Sequence, residues 1–244
     1  MIDFHSHILP NIDDGSRSIE ETFNLIKEAK QAGFEAIIST SHYMENYYET
    51  DVPEREVWVK AICENLQNKN IETNLYLGNL FELPLNAEPM NLYDIVYEML
   101  QYKLVPILAH PERYSFVQKD PDLIYDLIEK GVLMQANYGS IIGQYGEKAQ
   151  LIVRKFFENN MIHFLGSDVH RPNTIYPKIP KILNEISDII GKEKLEELTT
   201  KNPQLVLNNK RINIDEPIEF KLSLKEKIIM NFKKWGKNSF KDKL

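Results

Sequence analysis

Short apolar runs of β-type residues alternate with helical patterns along residues 1–210. Strands that are apolar throughout and separated by helices need parallel pairing in a sheet whose faces are both covered. The predicted strands are MIDFH, FEAIIST, NLYLG, LFEL, LVPILAH, VLMQAN and MIHFLGS. About seven such units predict an α/β fold, either a β/α barrel or a doubly wound sheet.

Helical patterns fill the intervals between these runs. The first is expected to open at Ser18, with Glu21 completing a capping box and Gly33 just past the end. The later helices are predicted over residues 53–69, 91–103, 120–130, 146–159 and 178–200.

A change in charge near the C-terminus suggests how the chain is organised. Residues 221–244 contain eight lysines against two acidic residues, whereas the whole chain has a net charge of −7. We expect one catalytic domain over residues 1–210 and a basic extension over 211–244. Leu224, Ile228, Phe232 and Trp235 fall on one face of a helix in this extension. Such a helix either docks on the domain or contacts an anionic membrane surface or an acidic partner.

Composition excludes several classes of protein. Cys63 is the single cysteine, so a disulfide scaffold is excluded. The acidic body argues against nucleic-acid binding. No apolar run reaches the length of a membrane span, and MIDFHSHILP lacks the features of a signal peptide. We therefore expect a cytoplasmic protein.

Five of the six histidines lie at the ends of predicted strands, close to acidic residues. His5 and His7 share i, i+2 spacing, as do Asp168 and His170, so each pair points the same way from an extended segment. His42 and His110 end two further strands, and Asp13 and Asp14 follow the first. Strand ends converge on one face of a β/α barrel. This pattern predicts a site for more than one divalent ion, with manganese, zinc or iron suited to its mixed nitrogen and oxygen donors. His163 lies inside the last strand and is interpreted as a core or supporting residue.

Four motifs together resemble the polymerase-and-histidinol-phosphatase (PHP) superfamily. They are HSHILPNIDDG at 5–15, TSHY at 40–43, AHPERY at 109–114 and GSDVHR at 166–171. The HILPxxDDG and AHPER patterns resemble, more narrowly, the bacterial capsule and exopolysaccharide tyrosine-protein phosphatases. The resemblance implies a distorted (β/α)7 TIM-like barrel of the PHP type with two or three metal ions per chain, manganese foremost. It also implies phosphotyrosine as substrate, on the tail of a cognate membrane-associated tyrosine autokinase that controls polysaccharide export.

The resemblance also assigns roles to individual residues. The implied metal ligands are His5, His7, Asp14, His42, Glu82, His110, Asp168 and His170. Arg113 matches a phosphate-binding arginine, and Arg171 lies in a variable loop that carries another basic contact. Asp14 or a metal-activated water is expected to protonate the leaving phenolate. Arg17, Tyr43 and Tyr114 are weaker candidates for the rim of the pocket.

One departure from the family pattern concerns a glutamate that bridges two metals. These phosphatases carry glycine-x-glutamate after the third strand, followed by some two dozen residues. Here NLYLGN runs directly into LFELP, and the residue two after Gly78 is Leu80. Either the protein lacks this glutamate, or the sequence is joined across absent residues between Asn79 and Leu80, which is the interpretation we favour.

Two other functions remain open from the sequence. One is another PHP phosphoesterase, of the histidinol-phosphate or nucleotide type. The other is a non-catalytic module that binds a kinase tail, if the glutamate is truly absent. A phosphocysteine mechanism is excluded, because Cys63 lies in a helical stretch with no Cys-x5-Arg loop.

Overall fold

Parallel strands form two three-stranded sheets. The structure is a computed structural model that describes residues 1–44 and 46–231. The strands are β1 (Ile2–Ser6), β2 (Ala36–Ser39), β3 (Asn74–Leu77), β4 (Ile107–Ala109), β5 (Leu133–Asn137) and β6 (Phe164–Gly166). One sheet has the order β1–β2–β3 and the other β4–β5–β6, with every ladder parallel. The predicted parallel α/β class is confirmed.

Helices connect these strands, and the long ones lie within about two residues of the predicted bounds. They are α1 (Ile19–Gln31), α2 (Val52–Asn68), α3 (Leu92–Gln101), α4 (Ser115–Lys119), α5 (Asp122–Glu129), α6 (Tyr138–Ile141), α7 (Glu147–Glu158), α8 (Ile179–Ile190), α9 (Lys192–Glu196), α10 (Asn202–Leu207) and α11 (Leu224–Asn231). Ser18 caps α1, its Oγ accepting from the Glu21 amide, but the Glu21 carboxylate accepts from the Arg17 amide instead of completing the box.

Single parallel bridges join the two sheets. Ser6 of β1 pairs with Val169, which follows β6, and Phe81 pairs with Leu108 of β4. The strand order is therefore β3–β2–β1–β6–β5–β4, with Phe81 beyond β4. Among the described residues, no ladder joins β3 to the Phe81 segment and completes a ring.

The prediction that LFEL forms a strand is wrong. This segment makes only a single β-bridge, from Phe81 to Leu108. The structure leads the chain from Asn79 directly to Leu80, and the interpretation of a sequence joined across absent residues stays a prediction. Parallel neighbouring strands need a crossover of a dozen or more residues. Residues 78–80 are too few, so Phe81 cannot follow β3 as its parallel neighbour.

Two hydrophobic clusters support the sheets. The larger one packs helices against the strands. The smaller one consists of Ile2, Phe4, Ala36, Ile38, Leu133 and Phe164, with Leu80 packed against it. The rings of Phe4 and Phe164 stack at 4.1 Å between centroids. This smaller cluster forms an apolar floor below the strand ends that carry the histidines.

The C-terminal extension is helical only over α11 within the described chain. Its Leu224 and Ile228 are 82% and 55% exposed, so the predicted apolar face is not buried there. Glu226 pairs with Lys155 of α7 at 3.1 Å. Phe232 and Trp235, the other two residues of that face, lie outside the described residues. None of the helices in 1–44 and 46–231 has both the length and the apolar composition to span a bilayer.

Candidate metal centre

A bulge in β1 turns two histidines toward the interior. The β1–β2 register shifts between Asp3 and Ser6, so β1 contains one extra residue. Phe4 can therefore stack on Phe164 while the next residue, His5, lies against Gly166 on the same face. Bulges of this kind re-aim side chains next to active sites. His7 then follows His5 at the i, i+2 spacing that the sequence predicts.

Gly166 and Gly15 lie where the chain passes closest to these histidines. A Cβ on Gly166 would lie 2.3 Å from the Cβ of His5, and one on Gly15 would lie 2.6 Å from the Cβ of His7. No side chain fits at such separations. The two glycines allow the β1 end to lie against its neighbours.

A buried group of donors surrounds His5. The Nε2 atom of His5 lies 3.0 Å from Nε2 of His7, 3.4 Å from Oδ1 of Asp168 and 3.6 Å from Oε1 of Glu82. His110 joins from β4, its Nε2 3.8 Å from the same Glu82 oxygen. Single atoms of His5, His110 and Asp168 lie within 4.8 Å of one another, as do those of His5, His7 and Glu82.

A second, more exposed group lies next to the first. Oδ1 of Asp14 lies 3.3 Å from Nε2 of His170 and 3.7 Å from Nε2 of His42, and His7 completes this group within the same 4.8 Å limit. Glu82 also contacts His42, at 2.9 Å from Nδ1. The structure thus brings together all eight residues that the resemblance implies as ligands.

Two of these residues have left-handed backbones. His110 has φ 36° and Asp168 has φ 52°, each directly after a strand or one residue beyond it. Such a conformation costs roughly 1–2 kcal/mol for a residue other than glycine. Strain of this kind collects at functional sites, where the surrounding fold imposes it.

Hydrogen bonds at the Nδ1 atoms of His5 and His7 leave their Nε2 atoms available as metal ligands. Nδ1 of His7 donates to Oδ2 of Asp13 at 2.8 Å, and Nδ1 of His5 donates to Oε1 of Gln135 at 2.7 Å. The Nε2 atoms then face each other beside two carboxylates. The two Nε2 lone pairs and the two carboxylate oxygens repel one another unless positive charge lies between them. A divalent cation with nitrogen and oxygen ligands supplies that charge.

Charges around the centre shift several pKa values. Burial opposes protonation of His7, but Asp13 and Asp168 outweigh it and raise its pKa to about 10. Burial lowers the pKa of His110 to about 3 and also lowers that of His5. Burial would raise the pKa of Glu82, yet the surrounding histidines lower it to about 2. Before a metal binds, the proton on His7 therefore supplies part of the charge that a cation would bring.

Arg113 lies beside the buried group. Its Nη1 is 2.5 Å from Oδ2 of Asp168, and its guanidinium lies over the ring of Tyr145 at 4.3 Å. Asn137 donates to the same Asp168 oxygen at 2.7 Å. Oδ2 is thereby occupied, while Oδ1 of Asp168 faces His5, His7 and His170.

Three other residues were predicted to contact the substrate or to line the rim of the pocket, and they differ from one another in where the structure places them. Arg171 donates to the carbonyl oxygens of Gly15 and His170 and so ties two loops together. Tyr43 is exposed, as a rim residue would be. Tyr114 is fully buried and its hydroxyl accepts from the Leu83 amide, so the expectation that it lines the rim is wrong.

His163 is buried away from the centre, as predicted. It is 3% exposed, and its Nδ1 accepts from the Met134 amide at 3.0 Å. Burial lowers its pKa to about 4, so it is neutral in the folded protein near pH 7.

Asp13, which the sequence pattern includes, supports the centre by accepting hydrogen bonds from the His7 ring and from the Gly15 and His42 amides. Sequence reasoning missed several other supporting residues. Gln135 and Asn137 end β5 with the same i, i+2 spacing as the two ligand pairs, a signal that could have found them. Arg55 is 1% exposed and donates to the carbonyls of Ser41, His42 and Thr50, which fixes the His42 loop. Nothing in its sequence neighbourhood indicates that role.

The position expected for the bridging glutamate is apolar. Leu80 packs against the smaller hydrophobic cluster, and Glu72 precedes β3 and is exposed. Neither residue supplies a carboxylate to the groups described above. Glu82 is therefore the carboxylate that this part of the chain contributes.

A parallel α/β fold with histidines and carboxylates at its strand ends defines a candidate divalent-metal enzyme. Over residues 1–90 and 80–208 the chain matches the family described as capsular polysaccharide synthesis, CpsB/CapC. These matches cover most of the sequence. The chain belongs to the CpsB/CapC family, and the predicted resemblance is confirmed.

Relatives in this family are named as phosphatases. The putative tyrosine-protein phosphatase CapC of Staphylococcus aureus is 29% identical over 245 aligned positions, covering 90% of this chain and 96% of CapC. The tyrosine-protein phosphatase YwqE of Bacillus subtilis (strain 168) is 27% identical, covering 87% of this chain and 93% of YwqE. A chain from the crystal structures of YwqE and of Streptococcus pneumoniae CpsB, described as unique metal-dependent tyrosine phosphatases, matches with a TM-score of 0.84. It is 25% identical, and the match covers 91% of this chain and 100% of the other.

The comparisons also point to the short connection after β3. The CapC alignment has 245 positions but includes only 90% of this 244-residue chain, so about two dozen CapC positions have no counterpart here. The two family matches meet at residues 80–90. Both observations agree with a deletion next to Leu80.

Proposed function

We propose that this protein is a metal-dependent tyrosine-protein phosphatase, a phosphoric monoester hydrolase. The observation that carries the proposal is the pairing of two donor groups with Arg113 at the same strand ends. Family membership and the phosphatase names of the relatives CapC, YwqE and CpsB support it. We further propose that the fold is a distorted (β/α)7 barrel that stays open next to β3, with residues 80–83 in the place of the seventh strand beside β4.

The donor set fits two ions, and the family resemblance implies two or three per chain. His5, His110, Asp168 and Glu82 would hold one, and His7, Asp14, His42 and His170 another. Manganese is our first choice, with iron or zinc as alternatives, because these donors are imidazole and carboxylate. When bound, such ions supply Lewis acidity toward phosphoryl oxygens and make water a better nucleophile.

The chain's own residues bind and orient the phosphoryl group. Arg113 uses one of its five N–H donors on Asp168, and the others remain for phosphoryl oxygens. Its stacking on Tyr145 fixes the plane of the guanidinium. Asp14 is half exposed, and its hydrogen bond with His170 lowers its pKa, so it suits a ligand better than a proton donor. A phenolate leaving group, with a pKa near 10, needs little protonation.

The proposed substrate is a phosphotyrosine on the tail of a membrane-associated tyrosine kinase involved in capsule or exopolysaccharide synthesis. The proposed location is therefore the cytoplasm. The exposed Tyr43 beside His42 is consistent with an open rim that a protein tail could reach.

Purified protein should test this directly. With Mn²⁺ added, it should hydrolyse a phosphotyrosine peptide faster than histidinol phosphate. A chelator should abolish the activity and Mn²⁺ should restore it, whereas thiol reagents should leave it intact because Cys63 lies half-buried in α2. Arg113→Ala should reduce kcat strongly, while Arg211→Ala, at an exposed position, serves as the matched control. Faster hydrolysis of histidinol phosphate would instead support the other PHP activity.

A second candidate is a non-catalytic module that binds a kinase tail. Leu80 at the expected position of the bridging glutamate is the observation that favours it. In that case native mass spectrometry should detect fewer than two ions on the 28.6 kDa chain, and a phosphotyrosine peptide should bind without hydrolysis. Two or more ions with turnover would exclude this candidate.

A further inference from the structure

Two buried amide side chains on β5 link two of the candidate metal ligands. Gln135 and Asn137 are 0% and 1% exposed, and both lie at the C-terminal end of the strand. Leu133, two residues earlier on the same face, packs in the apolar floor. On this face of β5 the side chains therefore change from apolar at Leu133 to amide at Gln135 and Asn137, next to the metal centre.

The hydrogen bonds of these amides form one directed chain. His5 Nδ1 donates to Oε1 of Gln135 at 2.7 Å. The amide nitrogen of Gln135 donates to Oδ1 of Asn137 at 3.0 Å. The amide nitrogen of Asn137 then donates to Oδ2 of Asp168 at 2.7 Å. Every link runs toward the carboxylate.

The direction of this chain is fixed at both ends. An ionised carboxylate only accepts, so the Asn137 nitrogen must face Asp168. The Gln135 nitrogen also donates to the carbonyl oxygen of Ala136 at 2.7 Å, and a carbonyl likewise only accepts. Oε1 of Gln135 is therefore the atom turned toward His5, and His5 must supply the proton.

We propose that Gln135 and Asn137 are a pair of positioning residues for the metal centre. Gln135 keeps the proton of His5 on Nδ1, which leaves a lone pair on Nε2. Asn137, together with Arg113, occupies Oδ2 of Asp168 and leaves Oδ1 facing the same point. The hydrogen-bonded amides thus orient His5 and Asp168 toward one cation before it binds, without contacting the cation themselves.

The proposal rests on the metal centre of the proposed function but not on its catalytic activity. Partners of this kind, which orient a ligating histidine through its other nitrogen, typically contribute 10–100-fold to metal affinity. Because Gln135 orients His5 and Asn137 orients Asp168 for the same cation, losing either amide should remove the same prearrangement of the site. Their effects should therefore not add.

The first test is ¹⁵N NMR of the histidine rings in the metal-free protein, followed by titration with Zn²⁺. We expect His5 to be the neutral tautomer protonated at Nδ1 and to bind Zn²⁺ through Nε2. In Gln135→Met, which removes the acceptor of the His5 proton, we expect mixed tautomers, whereas Asn137→Leu should keep the wild-type tautomer because the Ala136 carbonyl still orients Gln135. A His5 ring protonated at Nε2 in the wild type, or one unchanged by Gln135→Met, would overturn the proposal. This result does not depend on whether the protein hydrolyses any phosphate.

The second test is calorimetric titration with Mn²⁺ of Gln135→Met, Asn137→Leu and the double variant. Each single change should weaken the tightest site about 10–100-fold, and the double change should cost about the same as either one. Asn202→Leu is the matched control, since Asn202 is also buried but donates to the His163 carbonyl. Losses that multiply in the double variant, or losses no larger than in the control, would contradict a positioning pair. If a variant fails to fold, the His5 tautomer measured in the wild-type protein still tests the proposal.

Discussion

Replacing Gly166 with alanine should damage both the stability of the fold and its affinity for metal. The added Cβ would lie 2.3 Å from the Cβ of His5, 2.8 Å from the His5 amide nitrogen and 2.9 Å from the Gln135 amide nitrogen. Carbon atoms approach to about 3.5–4.0 Å at best, so the Cβ pair falls short by more than about 1 Å. These neighbours are backbone, a Cβ and a hydrogen-bonded amide, so β1 itself has to move.

Moving β1 breaks bonds that hold the centre together. The carbonyl oxygen of His5 accepts from the Asp168 amide at 2.8 Å and from the Ser167 hydroxyl at 3.1 Å. Overpacking of this kind costs about 1–3 kcal/mol, and each kcal/mol lowers Tm by about 2–4 °C in a chain of this size. A displacement of about 1 Å at a reacting centre costs on the order of 100-fold in rate.

Thermal unfolding of the metal-free protein and calorimetric titration with Mn²⁺ would measure the two effects. Gly131→Ala is the control, because Gly131 has φ +94° and so is strained by any side chain, while its Cβ would meet only Leu100 at 3.8 Å. The control should lose about 1–2 kcal/mol of stability and keep its metal affinity. If Gly166→Ala bound Mn²⁺ like the wild type, with a Tm loss no greater than the control, the argument from close approach would be refuted.

Four further predictions concern charge and the loops. Asp13→Asn should reduce the unfolding free energy of the metal-free protein most between about pH 4 and 6.5, because folding lowers the pKa of Asp13 and raises that of His7 to about 10. The difference between variant and wild type should shrink at lower pH, where Asp13 is protonated, and at higher pH, where His7 is deprotonated. A difference that does not change with pH would contradict this prediction. Metal binding at pH 7 should release about one proton from His7, measured as a dependence of the binding enthalpy on buffer ionisation; no such dependence would count against the assignment. Arg55→Leu should cost about 1–3 kcal/mol, because it leaves the buried Ser41 carbonyl and the partly buried His42 and Thr50 carbonyls without their donor. It should also weaken metal binding through His42, and Arg55→Lys should restore part of the loss. Equal loss in both variants would argue against a role of Arg55 in fixing the His42 loop. Removing residues 232–244 should spare hydrolysis of a small substrate but slow action on a membrane-bound kinase, and equal loss on both would exclude a docking role.

Local sequence patterns predicted much of this protein. The i, i+2 pairs His5/His7 and Asp168/His170 needed only the geometry of an extended chain, and both pairs reach the centre. The long helices were also predictable, because their apolar spacing and the Ser18 cap are encoded within a few residues. The ligand set came from matching motifs, and the structure brings all of it together.

Other features depended on contacts between distant parts of the chain. Tyr114 looked like a rim residue, yet its hydroxyl lies under the amide of Leu83 and is fully buried. LFEL had the composition of a strand, but the short connection from Leu77 leaves it no room to pair with β3. In both cases composition was a poor guide because the partner segment decided the outcome.

The sequence alone determined that the histidines of the centre and Asp168 follow apolar strands, since residue type and local periodicity encode this, whereas Glu82 was implied only by the resemblance to a known motif. Only the tertiary structure decided which of them lie close together, because that depends on the β1 bulge and on the registers of separate strands. It also decided the proton positions, since His5 finds its acceptor in Gln135, which lies 130 residues away along the chain. A hydrogen bond between residues so far apart leaves no periodic signal, because it exists only once the strands are packed side by side.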